Sequence, residues 1–530
     1  MKKISKLSKA AFLIAVSFGI NKILAILRQL IIARQFGLTA ELDVFNVANN
    51  IPDLLYALIS GGALAVAIIP VMTEVMTREN RETAWRVFSQ VANLAFLATA
   101  ILSAVAAIFA WPLVQHALGI APGLDLSQQT LVVELLRLNL IGTLIFSMAG
   151  LLIAGLQANK HFLLPAIGPI LYNFGQIYGA IILSPEVGYH VGPVVLPAAG
   201  MGVHGLVYGV LIGSLLYFLI QIPGLIKYQF KWTPRINLKD ADVRKILAML
   251  GPRVIGMLLY QLTFIARDNM ASRLPLGSIS ALTYGWMILQ VPETLIGTAI
   301  GTALLPTISE LIAKKEFQEF KDTINRVVRV LIALSIPSAV LLSLSLPPFL
   351  GFAFGFDTAG TDLLLWVTRA FLAGLLGHCL LELGSRIFFA QQNSVIPMAA
   401  AGLNLVVYIL SGIILISPFK AVGIGLADAI GFTAQALFLL AVFKIRLARK
   451  AASSEEKTDA GKYKERNNEI LNTVLRTIAG SAVGGLVIVL IIRFATGMLP
   501  DLIIGVAAAG LGIAAALPFI SKEIRVLLHL

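Results

Sequence analysis

Apolar residues fill this chain in blocks of ~20–30 positions, each closed by a short polar, glycine or proline turn, from one end to the other. The blocks predict about fourteen membrane-spanning α-helices, starting near residues 10, 42, 86, 128, 162, 200, 246, 278, 325, 361, 395, 421, 470 and 498. The first helix breaks its own pattern. Asn21 and Arg28 share one stripe with Ser17 and Gln35, while Lys22 and Gln29 lie on the next. A cation near the middle of a spanning helix costs roughly 2.5–3.5 kcal/mol on insertion scales. This stripe therefore predicts a helix side turned away from lipid.

Composition agrees with an all-α polytopic membrane protein. Of 530 residues, 58% are hydrophobic and 13% charged, and mean hydropathy is +0.87; a soluble domain carries about 25% charge. The net charge of +13 comes from 41 basic and 28 acidic residues. Basic residues crowd alternate loops, such as Lys227–Lys245, and are nearly missing from the others, such as 184–197. By the positive-inside bias both termini are cytoplasmic, and the basic excess points to anionic lipid before nucleic acid. The start, MKKISKLSK, reads as the basic flank of a retained first span. Cys379 is the single cysteine, which excludes a disulfide within the chain and a cysteine-based metal site.

The chain also repeats. NNIPDLL (49–55) with AIIPVMTEVM (67–76) returns as LQVPETL (289–295) with ALLPTISELI (303–312), and AGLQANKHFLLP (154–165) returns as FFAQQNSVIP (388–397). An even number of spans per repeat predicts two parallel six-helix bundles, 1–230 and 240–447, related by a pseudo-two-fold axis along the membrane normal. Residues 448–468 read as a polar cytoplasmic linker, followed by two extra helices within 469–530. Substrate is then expected in a central cavity lined by spans 1, 2, 7 and 8.

Charged residues inside spans are the candidate chemistry. In the seventh span Arg253, Tyr260 and Arg267 form a second stripe, with Gln261 and Asp268 beside it. With Lys22 and Arg28 they suit an anionic head group in a low-dielectric cavity; Arg267 with Asp268 suits a structural ion pair equally. Asp43 reads as a helix cap or a gate. In the tenth span Arg369 is followed by His378, Glu382 and Arg386, spaced i,i+4 as a proton relay or as self-neutralising pairs. Asp428 reads as a lone carboxylate for Na+ or H+, or as a bond to a neighbouring helix. Pro52 and Pro292 are hinge candidates, alongside Pro70 and Pro306.

The stretch carrying Leu27, Arg28, Ala33, Arg34, Phe36 and Gly37, then Asp43, IPDLL and GGAL, resembles the first two helices of the lipid II flippases (MurJ/MviN). Residues 274–310 and 369–393 resemble that family's seventh and eighth helices and its tenth. The resemblance implies the MOP exporter fold, two six-helix bundles in a V with two extra helices forming a lipid-tail groove. It implies transfer of undecaprenyl-pyrophosphate-linked peptidoglycan precursor, lipid II, from the inner to the outer leaflet by alternating access, for cell-wall synthesis and cell shape. On that basis Lys22, Arg28, Arg267 and Asn21 are the expected substrate-binding residues, and Asp43, Asp268, His378, Glu382 and Asp428 the gate or coupling residues. The chain departs from the pattern. Tyr56 and Ala57 replace two helix 2 arginines, Gly285, Trp286 and Met287 replace a polar helix 8 motif, and Gln29 replaces an acid.

The expected protein is a monomer of the plasma membrane, not an enzyme, with a polyprenyl-pyrophosphate-linked lipid as partner. It needs no nucleic acid and no cofactor beyond Na+ or H+ as coupling ion. The external loops are short, and no Walker A, HExxH or nucleophile motif stands out, which argues against a membrane glycosyltransferase. A drug or cation antiporter on the same fold calls for an acidic cavity. An exporter of another polyprenyl-linked saccharide stays open, because part of the basic clamp is replaced.

Overall fold

The computed structural model describes residues 6–59, 62–453, 460–495 and 500–528. Its backbone is helical apart from loops and one two-residue hairpin, β1 (His190–Val191) with β2 (Val194–Val195). That is what a bilayer demands, since helices satisfy their own backbone donors and acceptors. Eleven helices among the described residues are long and apolar enough to span, or twelve if one pair bent by 41° counts as one span. Two of the fourteen expected spans are hidden by breaks. The second is divided into three short helices. The eleventh and twelfth run together as Val395–Ser453, with Lys420 at φ 49° after Pro418 marking the turn.

Contacts divide the chain into Met1–Gly277 and Ser278–Leu530. The first unit comprises α1 (Lys6–Phe36), α2 (Ala40–Ala48), α3 (Asn50–Ile59), α4 (Gly62–Arg78), α5 (Arg81–Ile108), α6 (Ala110–Gln115) and α7 (Leu126–Ala158). It continues with α8 (Leu163–Tyr178), lengthened by a π-helical turn at Gly179–Leu183, then α9 (Val203–Leu219), α10 (Ile222–Lys227) and α11 (Ala241–Ala271). The seventh span, α11, thus packs with the first unit, against α3, α4 and α5. Side chains start the helices. Asn80, Asp125 and Asp240 each accept from backbone amides of the first turn, and Asp125 with Gln128 forms a capping box. One core of this unit is aromatic. Trp85, Phe88 and Phe230 meet edge to face, and the Trp85 indole donates to the Tyr228 carbonyl at 2.9 Å.

The second unit comprises α12 (Ser278–Glu293), a π-helical turn (Thr294–Thr298), α13 (Ala299–Ala313), α14 (Phe317–Phe354), α15 (Thr358–Ala373) and α16 (Leu375–Ala390). Then come α17 (Val395–Ser453), α18 (Ala460–Ala495) and α19 (Asp501–Leu528). The two last helices pack on α14 and on each other. They cross closely, since a Cβ on Gly484 would stand 2.5 Å from the Gly512 carbonyl oxygen. Arg329 of α14 donates to Glu469 at 2.6 Å and to Glu523 at 3.3 Å, and Glu523 also accepts from Thr473 and Arg476. The expected linker 448–468 is helical at both ends, because its Lys, Arg, Glu and Ala are strong helix formers. Residues 454–459 lie outside the described residues.

The internal repeat returns as backbone geometry. Lys160 and Gln392, at matching places in two of the repeated strings, both close a helix in the left-handed region, at φ 59° and 55°. The amides of His161 and Asn393 then reach back to Leu156 and Phe388. Breaks recur as well, at Asn49 before Pro52 and in the π-helical turn after Pro292.

Candidate functional site

In the first unit, the polar stripe of α1 faces α8. Arg28 Nη1 donates to Asn173 Oδ1 at 3.1 Å, and Asn173 Nδ2 donates to Asn21 Oδ1 at 2.8 Å. Arg28 and Asn21 are partly buried and Asn173 is buried, whereas Lys22 is exposed on the next stripe. The helix therefore spends its interior side on an amide-anchored guanidinium, as the seven-residue spacing predicts. Around it lie residues that spacing did not single out. Asp53 of α3 is within electrostatic reach of Arg28, and Tyr172, beside Asn173, is within reach of Arg28, Asp53 and Tyr56. Phe146 of α7 joins Tyr56, Tyr172 and Tyr217, each with ring centroids 4.6 Å from its own. Tyr56, met in the sequence as a replaced arginine, is thus a ring in this cluster. Asn173 carried no sequence signal beyond being an amide in an apolar run.

A second polar network of the same unit surrounds the break between α2 and α3. Asn50 Nδ2 donates to Asp268 Oδ2 at 2.8 Å, and Asn49 accepts from Asn139 of α7 at 3.1 Å. Arg267 Nε donates to Asp268 Oδ1 at 2.7 Å, with side chains 10% and 0% exposed, and its guanidinium lies over the Phe264 ring. The ion-pair geometry of Arg267 and Asp268 is therefore present. Asp43 does not cap α2. Thr39 holds the cap position, and the Asp43 carboxylate accepts from the Gly277 amide at 2.7 Å. A residue four positions into the helix is past the orphan amides a cap serves. Asn269 donates to the carbonyls of Ala117 and Gly119, so the end of α11 is tied to the loop after α6. Pro52 stands in the first turn of α3, where a missing N–H is harmless. The side chain of Arg253 lies outside the described residues.

In the second unit, Asp428 is not a lone carboxylate. His378 Nε2 and Asp428 Oδ2 are 3.0 Å apart, both buried. The helix spacing offered Glu382 as a partner for His378, but Glu382 instead accepts from Arg386 at 3.0 Å. Glu382 and Arg386 neutralise one another one turn away from the histidine. Arg369 donates to the Ser343 carbonyl at 3.2 Å and lies over Trp366. No group of three or more metal-ligating side chains is present among the described residues.

The family model described as "Lipid II flippase MurJ" matches residues 32–507. The lipid II flippase MurJ of Burkholderia cenocepacia is 28% identical over 429 residues, covering 79% of this chain and 80% of the relative. The solved structure of a lipid II flippase MurJ in an inward closed conformation superposes with a TM-score of 0.76 at 22% identity, covering 98% of this chain and all of the other. An inward-facing multidrug resistance MATE transporter of the MOP superfamily follows with a TM-score of 0.66 at 14% identity, covering 82% of this chain and 99% of the other. At those identities the two solved structures share the fold with this chain.

Proposed function

The chain belongs to the lipid II flippase MurJ family, and from that premise we propose that it carries lipid II, a polyprenyl-pyrophosphate-linked peptidoglycan precursor, from the inner to the outer leaflet. The observation that carries the reading is family membership over residues 32–507 together with a guanidinium, Arg28, fixed by a buried amide inside the first unit. An arginine fork matches a phosphate in geometry as well as charge. Arg28 grips the pyrophosphate, Asn21 and Asn173 aim it, and the exposed Lys22 draws the anion in. Arg267 adds its charge from within its pair with Asp268. Asp43 and Asp268 act as gate residues, holding the start of α2 and the break after it.

The chain moves its substrate and does not transform it. It is a multi-pass membrane protein with both termini in the cytoplasm, working as a monomer with an ion, Na+ or H+, as its only auxiliary. Orientation is tested by Asn237→Cys in a Cys379→Ala background, in the basic loop before α11. Labelling only after the membrane is opened supports it, and labelling in sealed cells overturns it.

Function is tested by complementation of a strain depleted of its own lipid II flippase. Growth with normal cell shape is the expected result. Failure to rescue by a protein that reaches the membrane overturns the reading and favours another polyprenyl-linked saccharide as cargo.

A further inference from the structure

The head-group reading gives Arg28 a task and leaves a carboxylate beside it unused. Asp53 follows Pro52 in α3, inside the second span. Its neighbours Ile51 and Leu55 are buried, while Asp53 itself is exposed. It is surrounded by protein and yet reachable, as a side chain lining an internal hollow is. A carboxylate against hydrocarbon is costly, so an exposed one within a span marks polar, open space. Its surroundings say which space. Arg28 of α1 acts electrostatically on Asp53, and Asp53 in turn on the hydroxyls of Tyr56 and Tyr172. Tyr172 precedes Asn173, the amide that holds Arg28. Asp53 therefore opens on the same interior side of the first unit as the guanidinium.

The hydrogen-bond inventory of this place points to a donor-rich ligand. Among the described residues no donor is hydrogen-bonded to the Asp53 carboxylate, and the cation acting on it is Arg28. An ionised carboxylate offers about four acceptor sites and no donor. It also stands beside the group that grips the pyrophosphate, and a bare carboxylate there repels a phosphate. The site suits both when the cargo carries N–H or O–H donors next to its phosphate.

Flat rings complete the lining. Phe146 lies 4.6 Å between centroids from both Tyr56 and Tyr172, and each tyrosine is only half-buried. Tyr56 stands where the family pattern has an arginine, so here a ring face and a hydroxyl replace a charge. Such rings pair an apolar body with a polar tip, which suits the C–H face and hydroxyl rim of a pyranose. A metal ion is the poorer occupant. No group of three metal-ligating side chains is present among the described residues, and Arg28 repels a cation.

We propose that Asp53, with the Tyr56 and Tyr172 hydroxyls, reads the sugar joined to the pyrophosphate. Arg28 donates to the phosphate, and Asp53 accepts from hydroxyl or acetamido N–H groups of that sugar. Asp53 is then a specificity-determining residue, which favours sugar-linked pyrophosphates over those whose attached group brings no donors. The pyrophosphate in this arrangement rests on the flippase reading.

The test is binding of two polyprenyl pyrophosphate diesters of equal charge to the full chain in lipid nanodiscs, one capped by N-acetylglucosamine and the other by a methyl group. The native chain should bind the sugar-capped lipid about 10–100-fold more tightly, the size of a hydrogen bond to a charged group. Asp53→Ala should erase that preference. It should also bind the methyl-capped lipid more tightly than the native chain does, because a negative charge has left the side of the phosphate. Asp53→Asn, of the same shape, should keep a reduced preference, and it carries the test where Asp53→Ala does not fold. Equal native binding of the two lipids overturns the sugar reading and leaves carriage of the lipid standing. A full preference in both Asp53 variants overturns it too, as does an equal gain for both lipids in Asp53→Ala, which would make Asp53 a counter-ion of Arg28 alone. Loss of native binding on adding EDTA would assign the carboxylate to a metal ion and overturn it as well. Binding of neither lipid by a folded native chain overturns the flippase reading along with this one.

Discussion

Arg28 of α1 donates to the side-chain oxygen of Asn173 in α8 at 3.1 Å, and the nitrogen of the same amide donates to Asn21 one stripe-step earlier on α1. One amide therefore holds both Asn21 and Arg28 of the first helix and anchors one end of the guanidinium. Replacing Asn173 by Leu removes both bonds from a buried place. Leaving such groups unsatisfied costs about 1–3 kcal/mol. The expected outcome is a modest fall in melting temperature with a larger fall in flipping, and Asn173→Gln should restore part of both. Full activity in Asn173→Leu would show that the amide does not position Arg28.

The Arg267–Asp268 pair should behave as a unit. Asp268→Leu takes the carboxylate from the buried Arg267 guanidinium and the acceptor from Asn50. Removing one partner of a buried pair destabilises by about 3–5 kcal/mol. The double variant Arg267→Leu, Asp268→Leu should recover much of that stability in a detergent melt while staying inactive if Arg267 lends its charge to the substrate. A double variant that flips normally would assign the pair to structure alone.

Glu523 should matter more to the last two helices than Glu469. It is buried and accepts from Arg329, Arg476 and Thr473, whereas Glu469 is 42% exposed. Glu523→Gln should cost about 1.5–3 kcal/mol and hasten protease cutting within α18 and α19. Glu469→Gln should do little, since exposed pairs are weak. Equal sensitivity of the two variants would contradict this ranking.

Acid should loosen the start of α7. Its cap, Asp125, accepts from the Gln128 amide and the Ser127 hydroxyl, which hold its carboxyl below the usual carboxylate range. A carboxyl lowered by folding stabilises the folded state above its ordinary pKa and loses that contribution as pH falls through the lowered one. Hydrogen exchange at Gln128 and Gln129 should therefore quicken in acid, at pH values under the usual carboxylate range. It should be fast at neutral pH already in Asp125→Ala. Unchanged exchange in that variant would remove the cap from the account.

Much of this was legible in the sequence because apolar length and helical spacing are local. Most spans, the side of α1 that carries Asn21 and Arg28, and the repeated strings could be read directly, and Lys160 and Gln392 take the same left-handed conformation at matching places of two strings. What escaped was pairing between distant helices. Asn173 is 145 positions from Arg28, and Asp428 is 50 from His378. Helix spacing could offer His378 only its own neighbour Glu382. Asp43 resembled a cap because it lies near a helix start, while the actual cap, Thr39, stands four residues earlier. Residues 448–468 read as a linker because they are polar, yet their residue types favour helix.

The most direct measurement is flipping of lipid II by the purified chain in vesicles, comparing native Arg28 with Arg28→Lys and Arg28→Ala at equal fold, checked by melting. If the guanidinium grips the pyrophosphate, Arg28→Ala abolishes flipping and Arg28→Lys restores only part, since an ammonium supplies the charge without the planar fork. A well-folded Arg28→Ala protein that flips lipid II at the native rate would contradict it.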